Sequence, residues 1–255
     1  MTIIPWLKVS VCICTRNRPA LLRECLQSIY SSSLKPFEII VSDDSTNSET
    51  RNLIESEFSD ITYISGPRQG LAANRNCVMQ KVRGERFVFT DDDCLLDELF
   101  IENCLVAAAA QPEPEMTIIS GLRYENGKPL GKPNGPSYLG HFMKPIEGDQ
   151  LETIVIDACM LPSGVVNDLK FDESIKGYGY EEMDFALHAR AKGYRIVFAE
   201  NAKVEHRPGP NEDRTRPSDA NRIYVAWKWR QGRLNRSFFL VVALSHLFGS
   251  CLRKH

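Results

Sequence analysis

Apolar and polar positions along the first part of the chain fall into blocks whose lengths fit strands and helices by turns. Val9 to Cys14 (VSVCIC) is an apolar run with three β-branched members and predicts a buried strand. It stops at Thr15-Arg16-Asn17-Arg18-Pro19; Pro19 suits a first helical turn, and Leu21, Leu22, Cys25, Leu26 and Ile29 then recur at helical spacing. Phe37 to Val41 predicts a second strand, ending in Ser42-Asp43-Asp44-Ser45-Thr46-Asn47. A helix over Ser48 to Phe58, a short strand at Ile61 to Ile64, a turn at Gly66 to Gly70 and a helix over Leu71 to Val82 continue the alternation. The strand Phe87 to Phe89 then runs straight into Asp91-Asp92-Asp93. Alternation of this kind implies parallel β-α-β units, with a sheet covered on both faces and ligands beyond the carboxyl ends of its strands. Thr15 to Arg18, Asp43 to Thr46 and Asp91 to Asp93 all fall at those ends, so three polar clusters converge on one crevice.

The pattern then loosens. A helix near Asp97 to Ala110 and a strand from Met116 to Tyr124 precede a Gly- and Pro-rich stretch, Glu125 to Gln150, which reads as a long loop. Thr153 to Leu161 predicts a strand. Phe171-Asp172-Glu173 leads through Lys176-Gly177-Tyr178-Gly179-Tyr180 to Glu181-Glu182-Met183-Asp184, which opens a helix ending at Gly193. Two strands, Arg195 to Phe198 and Ala202 to Glu205, follow, and His206 closes the second. Arg207 to Ser218, charged and broken by prolines, reads as a mobile segment. No internal repeat and no linker divides the chain into independent domains.

Composition changes this picture little. The chain has 255 residues, 43% of them hydrophobic, and a net charge of -2, an ordinary globular composition that gives no sign of nucleic-acid binding. Its eight cysteines form no CxxC pair and sit in apolar runs, as buried reduced thiols of a cytoplasmic protein would. No secretory signal is visible at the N-terminus, and no apolar run reaches the roughly 18 residues that a spanning helix needs.

Chemistry enters with the carboxylates. Three like charges at the end of a buried strand need a counter-charge, and a divalent cation with hard oxygen ligands would supply it. The alternative is a solvated acidic loop capping a helix that begins near Leu95. Carboxylates in the first turn of the Glu181 helix are likewise ordinary complements of its dipole.

In this order and at these spacings, VSVCICTRNRP, FEIIVSDDST, GLAANRN, FVFTDDDC, FDESI with GYGYEEMD, and AKVEH resemble the family 2 glycosyltransferases over residues 8 to about 206. The resemblance implies the α/β GT-A fold, a Rossmann-like and mostly parallel sheet flanked by helices. It implies one domain over residues 1–217, with a nucleotide-binding half at about 8–94 and an acceptor half at about 95–206, followed by a helical C-terminal extension at 218–255. It implies a metal-dependent, inverting transfer of a sugar from a UDP-, GDP- or dTDP-linked donor to a hydroxyl of a glycan or glycolipid, in polysaccharide or glycolipid synthesis of bacterial type.

The resemblance also distributes roles. Asp93 and His206 would hold Mn2+ or Mg2+, and Asp91, beside Asp92, would meet the ribose or sugar. Thr15, Arg16 and Asn17 would line the base and ribose pocket; Asp44 would bond the nucleobase edge, supported by Asp43. Arg75 and Asn76 would face the donor. Glu182 would be the general base, with Glu181 and Asp184 beside it, although the family more often has Asp at that position and Arg where this chain has His188. Asp184 and His188, one turn apart, read as a pair on the helix surface. Two other readings stay open: a sugar-nucleotide-binding module without catalysis, which would need no Glu182, and a nucleotidyltransferase of related topology, whose glycine-rich phosphate loop is missing here.

Trp227-Lys228-Trp229-Arg230, Arg233 and Arg236 precede the apolar stretch Ser237 to Cys251. That arrangement fits an interfacial helix at the inner face of a membrane, a contact with a second copy of the chain, or a packed terminal helix.

Overall fold

A computed structural model describes residues 7–144, 150–177, 179–209, 219–230, 237, 239, 240 and 243. The predicted alternation is present: β1 (Val9–Thr15), α1 (Pro19–Tyr30), β2 (Glu38–Asp43), α2 (Glu49–Glu57), β3 (Thr62–Ser65), α3 (Leu71–Met79) and β4 (Arg86–Asp91) follow one another. Every residue of β1 is buried because both faces of its sheet are covered. Val9, Val11 and Ile13 join one core cluster with Leu22, Cys25, Leu26 and Ile29 of α1, while Cys12 and Cys14 join the opposite cluster with Phe87 and Phe89.

Four strands, in the order β3-β2-β1-β4, are parallel. The second half makes the sheet mixed. It contributes β5 (Cys94–Leu96), α4 (Phe100–Ala109), β6 (Thr117–Glu125), β7 (Lys128–Pro129), β8 (Gly135–Pro136), β9 (Phe142–Lys144), β10 (Cys159–Pro162), α5 (Val165–Asp168), α6 (Glu181–Ala191), β11 (Arg195–His206) and α7 (Asp219–Lys228). The nine-stranded sheet runs β3-β2-β1-β4-β10-β6-β11-β5, with β7 beside β6. β10 is antiparallel to both β4 and β6, and β11 is parallel to β6.

Three local expectations change. The residues after the acidic triplet do not open a helix near Leu95; Cys94–Leu96 pairs antiparallel with Val204–His206, and the helix begins at Phe100. Thr153 to Leu161 is strand only from Cys159, after a 3-10 turn at Ile156–Ala158. The two strands predicted before His206 are one, β11, with an irregularity between Ala199 and Lys203. Residues 210–218, within the segment read as mobile, lie outside the described residues. The described cysteines are all free, and only Cys77 among them is not buried. Among the described residues no helix is long and apolar enough to cross a membrane.

Strand β6 sits at the centre of the second half, and Gly121 marks its closest packing. A Cβ there would lie 2.5 Å from the Ala202 carbonyl oxygen and 3.0 Å from that of Ala158. Gly121→Ala must therefore push strands apart, and overpacking of this kind costs about 1–3 kcal/mol. Denaturant unfolding should show a lowered midpoint with an unchanged slope.

Candidate active site

The parallel strands deliver their last residues to one edge. Thr15 is level with Asp43, and Cys14 with Asp91, in the sheet register. The Asp44 amide donates to the Thr15 carbonyl at 2.9 Å, tying the first two loops together. Asp43 is buried and accepts from the Ser45 amide at 2.9 Å and the Tyr63 hydroxyl at 3.0 Å, so it works as a strut beneath Asp44. Asp44 accepts from the Arg68 amide at 2.8 Å. Burial pushes its carboxyl up, against the pull of that amide and of Arg16. A side chain at Gly66 would strike it, since a Cβ there would stand 2.3 Å from Asp44 Oδ1. Asn17 takes a left-handed backbone (φ 56). Its Oδ1 accepts from the Thr46 amide at 2.9 Å, and its own amide donates to Ser45 Oγ at 2.7 Å. Arg16 is exposed on the same rim.

The acidic triplet divides. Asp91 keeps 32% of its side chain exposed, while Asp92 and Asp93 are buried. Arg18 bridges Asp92 at 3.1 Å and Asp93 at 3.3 Å, and the Thr15 hydroxyl donates to Asp92 at 2.8 Å. Burial and the neighbouring Asp93 still push Asp92 up to about 7, against the attraction of Arg18. The end of β11 brings His206 Nε2 to 3.6 Å from Asp93 Oδ2. On the other side of the ring, an Arg123 guanidinium nitrogen stands 2.8 Å from Nδ1. A guanidinium only donates, so Nδ1 is the acceptor in this arrangement. Glu125 Oε1 lies 3.9 Å from the same nitrogen.

A cavity of about 370 Å³ opens beside these groups. Asp91, Arg75, Arg123, Asp157, Glu181 and Glu182 line it together with Leu130 to Asn134 and Phe142 of the long loop. The buried Arg75 reaches Glu181 Oε1 at 2.8 Å and Asp91 Oδ1 at 3.2 Å, with its guanidinium 5.6 Å from the Phe171 ring centroid. Burial opposes its charge, but Asp91 and Glu181 outweigh that and hold it firmly protonated. Arg123 bridges Asp157 at 3.0 Å. Asp157 Oδ1 and Glu181 Oε2 are buried without hydrogen-bond partners, and hydroxyls of a ligand in the cavity would complete them. Glu182, in the first turn of α6, is pushed up to about 8 by burial and by the Glu181 carboxylate.

Two residues expected at the site, Asn76 facing the donor and Asp184 beside the base, are bonded to other parts of the chain. Asn76 is committed to the segment before α6: it donates to the Phe171 carbonyl at 3.0 Å and Glu173 at 2.8 Å, and accepts from the Phe171 amide at 2.8 Å. Asp184 is buried and bonds Lys228 at 2.9 Å and Trp229 Nε1 at 2.7 Å, so it is not half of a surface pair with His188. Arg18, Arg123 and Asp157 had no role assigned from the sequence, though Arg18 closes the first of the polar clusters. Asp157 had a signal, as an acid set among Ile154 to Leu161, where a charge must be matched by a partner.

Comparison with known proteins bears on this geometry. Residues 10–163 match the model of the family described as glycosyl transferase family 2. A GalNAc(5)-diNAcBac-PP-undecaprenol beta-1,3-glucosyltransferase of Campylobacter jejuni is 26% identical, across 74% of this chain and 65% of its own length. The succinoglycan biosynthesis protein ExoM of Rhizobium meliloti is 24% identical, across 87% of this chain and 70% of its own length. Among solved structures, GalNAc-T7 with UDP, GalNAc and Mn2+ has a TM-score of 0.73 at 14% identity, covering 91% of this chain and 49% of that one. Staphylococcus aureus TarS 1–349 in complex with UDP-GlcNAc has a TM-score of 0.59 at 18% identity, covering 87% and 65%. These structures share the fold, and the chain spans 65% of the Campylobacter protein and about half of GalNAc-T7.

The raised carboxyl of Glu182 has a consequence for stability. With its folded pKa near 8, the folded chain keeps a proton that the unfolded chain has already released, so this group's contribution falls as pH rises from its ordinary 4.5 towards 8. Glu182→Gln removes that titration. Its melting temperature, relative to the parent, should rise steadily from about pH 5 to about pH 9, and a constant difference in thermal melts would contradict the burial argument.

Proposed function

The chain belongs to glycosyl transferase family 2, and from that premise we propose that it transfers a sugar from a nucleoside diphosphate to an acceptor hydroxyl, inverting the anomeric carbon. The observation that carries the reading is that Glu182 and Asp91 line one cavity, together with Leu130 to Asn134 and Phe142. A carboxylate free to take a proton thus shares a chamber with the end of the acidic triplet. A non-catalytic binder has no use for such a group.

Each group at the edge has a part in that transfer. The rim formed by Thr15, Arg16, Asn17 and Asp44, with Asp43 beneath, receives the nucleoside. Asp91, fixed by Arg75, orients ribose or sugar hydroxyls. Glu182 accepts the proton of the acceptor hydroxyl as that oxygen attacks the anomeric carbon. A base with a pKa near 8 suits this task, since general-base catalysis works best with a pKa near the operating pH. Glu181, engaged by Arg75, tunes its neighbour's charge. The long loop faces Glu182 across the cavity and selects the acceptor, a glycan or a lipid-linked glycan, for which the Campylobacter relative's name is the precedent.

Asp93 and His206 fit a divalent cation, Mn2+ or Mg2+. Their facing atoms are 3.6 Å apart, a separation that two ligands of one ion can adopt. Nε2 ligation needs the proton on Nδ1, so Arg123 must yield that nitrogen to Glu125. Among the described residues no group of three His, Cys, Asp or Glu side chains is arranged to hold a metal. A cation can also be bound through one or two protein groups and completed by substrate phosphates. The ion, when bound, would neutralise the charge gathering on the departing diphosphate. The location we propose is cytoplasmic, against the inner membrane face if the acceptor is lipid-linked.

Nucleoside diphosphate binding should tighten with Mn2+ or Mg2+, and Asp93→Ala should abolish that gain. Equal affinities in calorimetry with chelator and with metal would remove the cation from the reading. Among sugar nucleotides based on UDP, GDP and dTDP, one should support transfer. In that reaction Glu182→Gln should lower turnover by about 10²–10⁴-fold with donor affinity unchanged. The parent's rate should climb as pH rises through Glu182's pKa and then level off, because only the ionised carboxylate accepts the proton. Undiminished transfer by Glu182→Gln would leave a binding module as the better description.

A further inference from the structure

Helix α7, like the segment that presents Glu182, lies beyond the residues that match the family, and its polar side chains reach that segment. Asp184, in the same helical turn as Glu182, is 1% exposed. Lys228 Nζ at 2.9 Å and Trp229 Nε1 at 2.7 Å both bond its carboxylate. Lys228 also reaches Asp172 Oδ2 at 2.7 Å, which the Tyr224 hydroxyl bonds at 2.9 Å. Asp172 directly follows Phe171, whose ring stacks on Phe185 at 4.3 Å and lies beneath Arg75. One ammonium therefore joins the strand-like approach to α6 with the first turn of α6.

The backbone between those two points needs holding. Gly177 (φ 78), Gly179 (φ 94) and Tyr180 (φ 76) are all left-handed, and Tyr180 bears a steric penalty that glycine would not. Asn221 of α7 donates to the carbonyls of Lys176 at 2.9 Å and Gly179 at 3.3 Å, within that turn. The same helix grips the acceptor loop. Arg222 donates to the Leu139 carbonyl, Arg230 lies 4.0 Å from the Tyr138 ring centroid, and Gly140 is packed so closely that a Cβ would come 2.9 Å from the Arg222 carbonyl. Phe142 of that loop stacks on Tyr180 at 5.7 Å with the rings 9° from parallel. A buried ion pair adds little net stability compared with apolar packing, but it fixes geometry.

We propose that Lys228 and Trp229 are positioning residues for the transfer reaction: through Asp184 they set the first turn of α6, and so place Glu182 opposite the acceptor loop that the same helix holds. The inference rests on Glu182 being the base. Neither residue touches substrate; each acts through Asp184. Displacement of a catalytic group by about 1 Å can cost up to about 10²-fold in rate.

The test uses the full chain with its active sugar nucleotide and acceptor. Trp229→Phe keeps the ring and removes one N–H, Lys228→Met removes the charge at similar length, and Lys228→Arg is the conservative control. Turnover should fall by about tenfold to 10²-fold in the first two, with the donor KM and nucleoside diphosphate affinity unchanged. The midpoint of the pH–rate profile should move, and Lys228→Arg should recover part of the rate. Parental turnover and profile in Trp229→Phe would overturn the proposal, as would a loss of turnover matched by an equal loss of nucleoside diphosphate affinity. If Lys228→Met does not fold, Trp229→Phe decides alone. If the parent transfers but Glu182→Gln is unimpaired, the base assignment fails and this inference with it. If Glu182→Gln is impaired and Trp229→Phe is not, only the inference fails.

Discussion

Everything at the sheet edge depends on how buried carboxylates are kept neutralised. Asp91, Asp92, Asp93, Asp157, Glu181 and Glu182 crowd a small region, and most of them are out of water. Such a cluster survives only if cations lie among them. Three arginines do this, each joining two partners. Arg18 takes Asp92 and Asp93, Arg75 takes Asp91 and Glu181, and Arg123 takes Asp157 and the His206 ring. Arg75 is the central one, because it ties β4 to α6. With a fixed fork of donors it serves the two carboxylates through separate nitrogens.

That arrangement explains which parts of the site could be read from the sequence. The polar clusters after β1, β2 and β4 were legible because strand alternation and strand ends are local patterns. Glu181 and Glu182 were legible through the family likeness. Of the three arginines only Arg75 was, again through the likeness; the carboxylates they meet were not, since an arginine gives no local sign of its partner, and Arg75 and Glu181 are far apart in sequence, as are Arg18 and Asp92. The strand β5 escaped for a similar reason. Three residues carry no period, and what makes Cys94–Leu96 a strand is its distant partner Val204–His206. In β11 the break in the apolar pattern at Glu200 and Asn201 looks like a strand end, but pairing with β6 resumes at Lys203 and keeps the chain extended.

The C-terminal segment shows the limit of composition. Tryptophans and basic residues flanking an apolar stretch fit a lipid interface as well as a folded core, because both environments favour side chains with an apolar body and a polar tip. In the structure Lys228 and Trp229 turn inward to Asp184, and Arg230 lies over Tyr138. Those residues are spent on the fold. Arg233, Arg236 and most of the apolar stretch lie outside the described residues.

The electrostatics also bear on the order in which ligands would enter under the proposed function. A diphosphate approaching this edge meets Asp91, Asp92 and Asp93, and of the arginines nearby, Arg18 and Arg75 already have two carboxylates each. Those two arginines are engaged, so a cation arriving with the diphosphate would add to what the exposed Arg16 on the rim can offset. Burial has already driven Asp92 and Glu182 towards their protonated forms, which limits the repulsion among these groups. A cation bound with the diphosphate would lower that repulsion further and favour ionised carboxylates nearby, Glu182 among them if the field reaches across the cavity. Donor binding would then prepare the base for the acceptor, and the same crowding of charge that makes the site costly to fold would couple the two substrates.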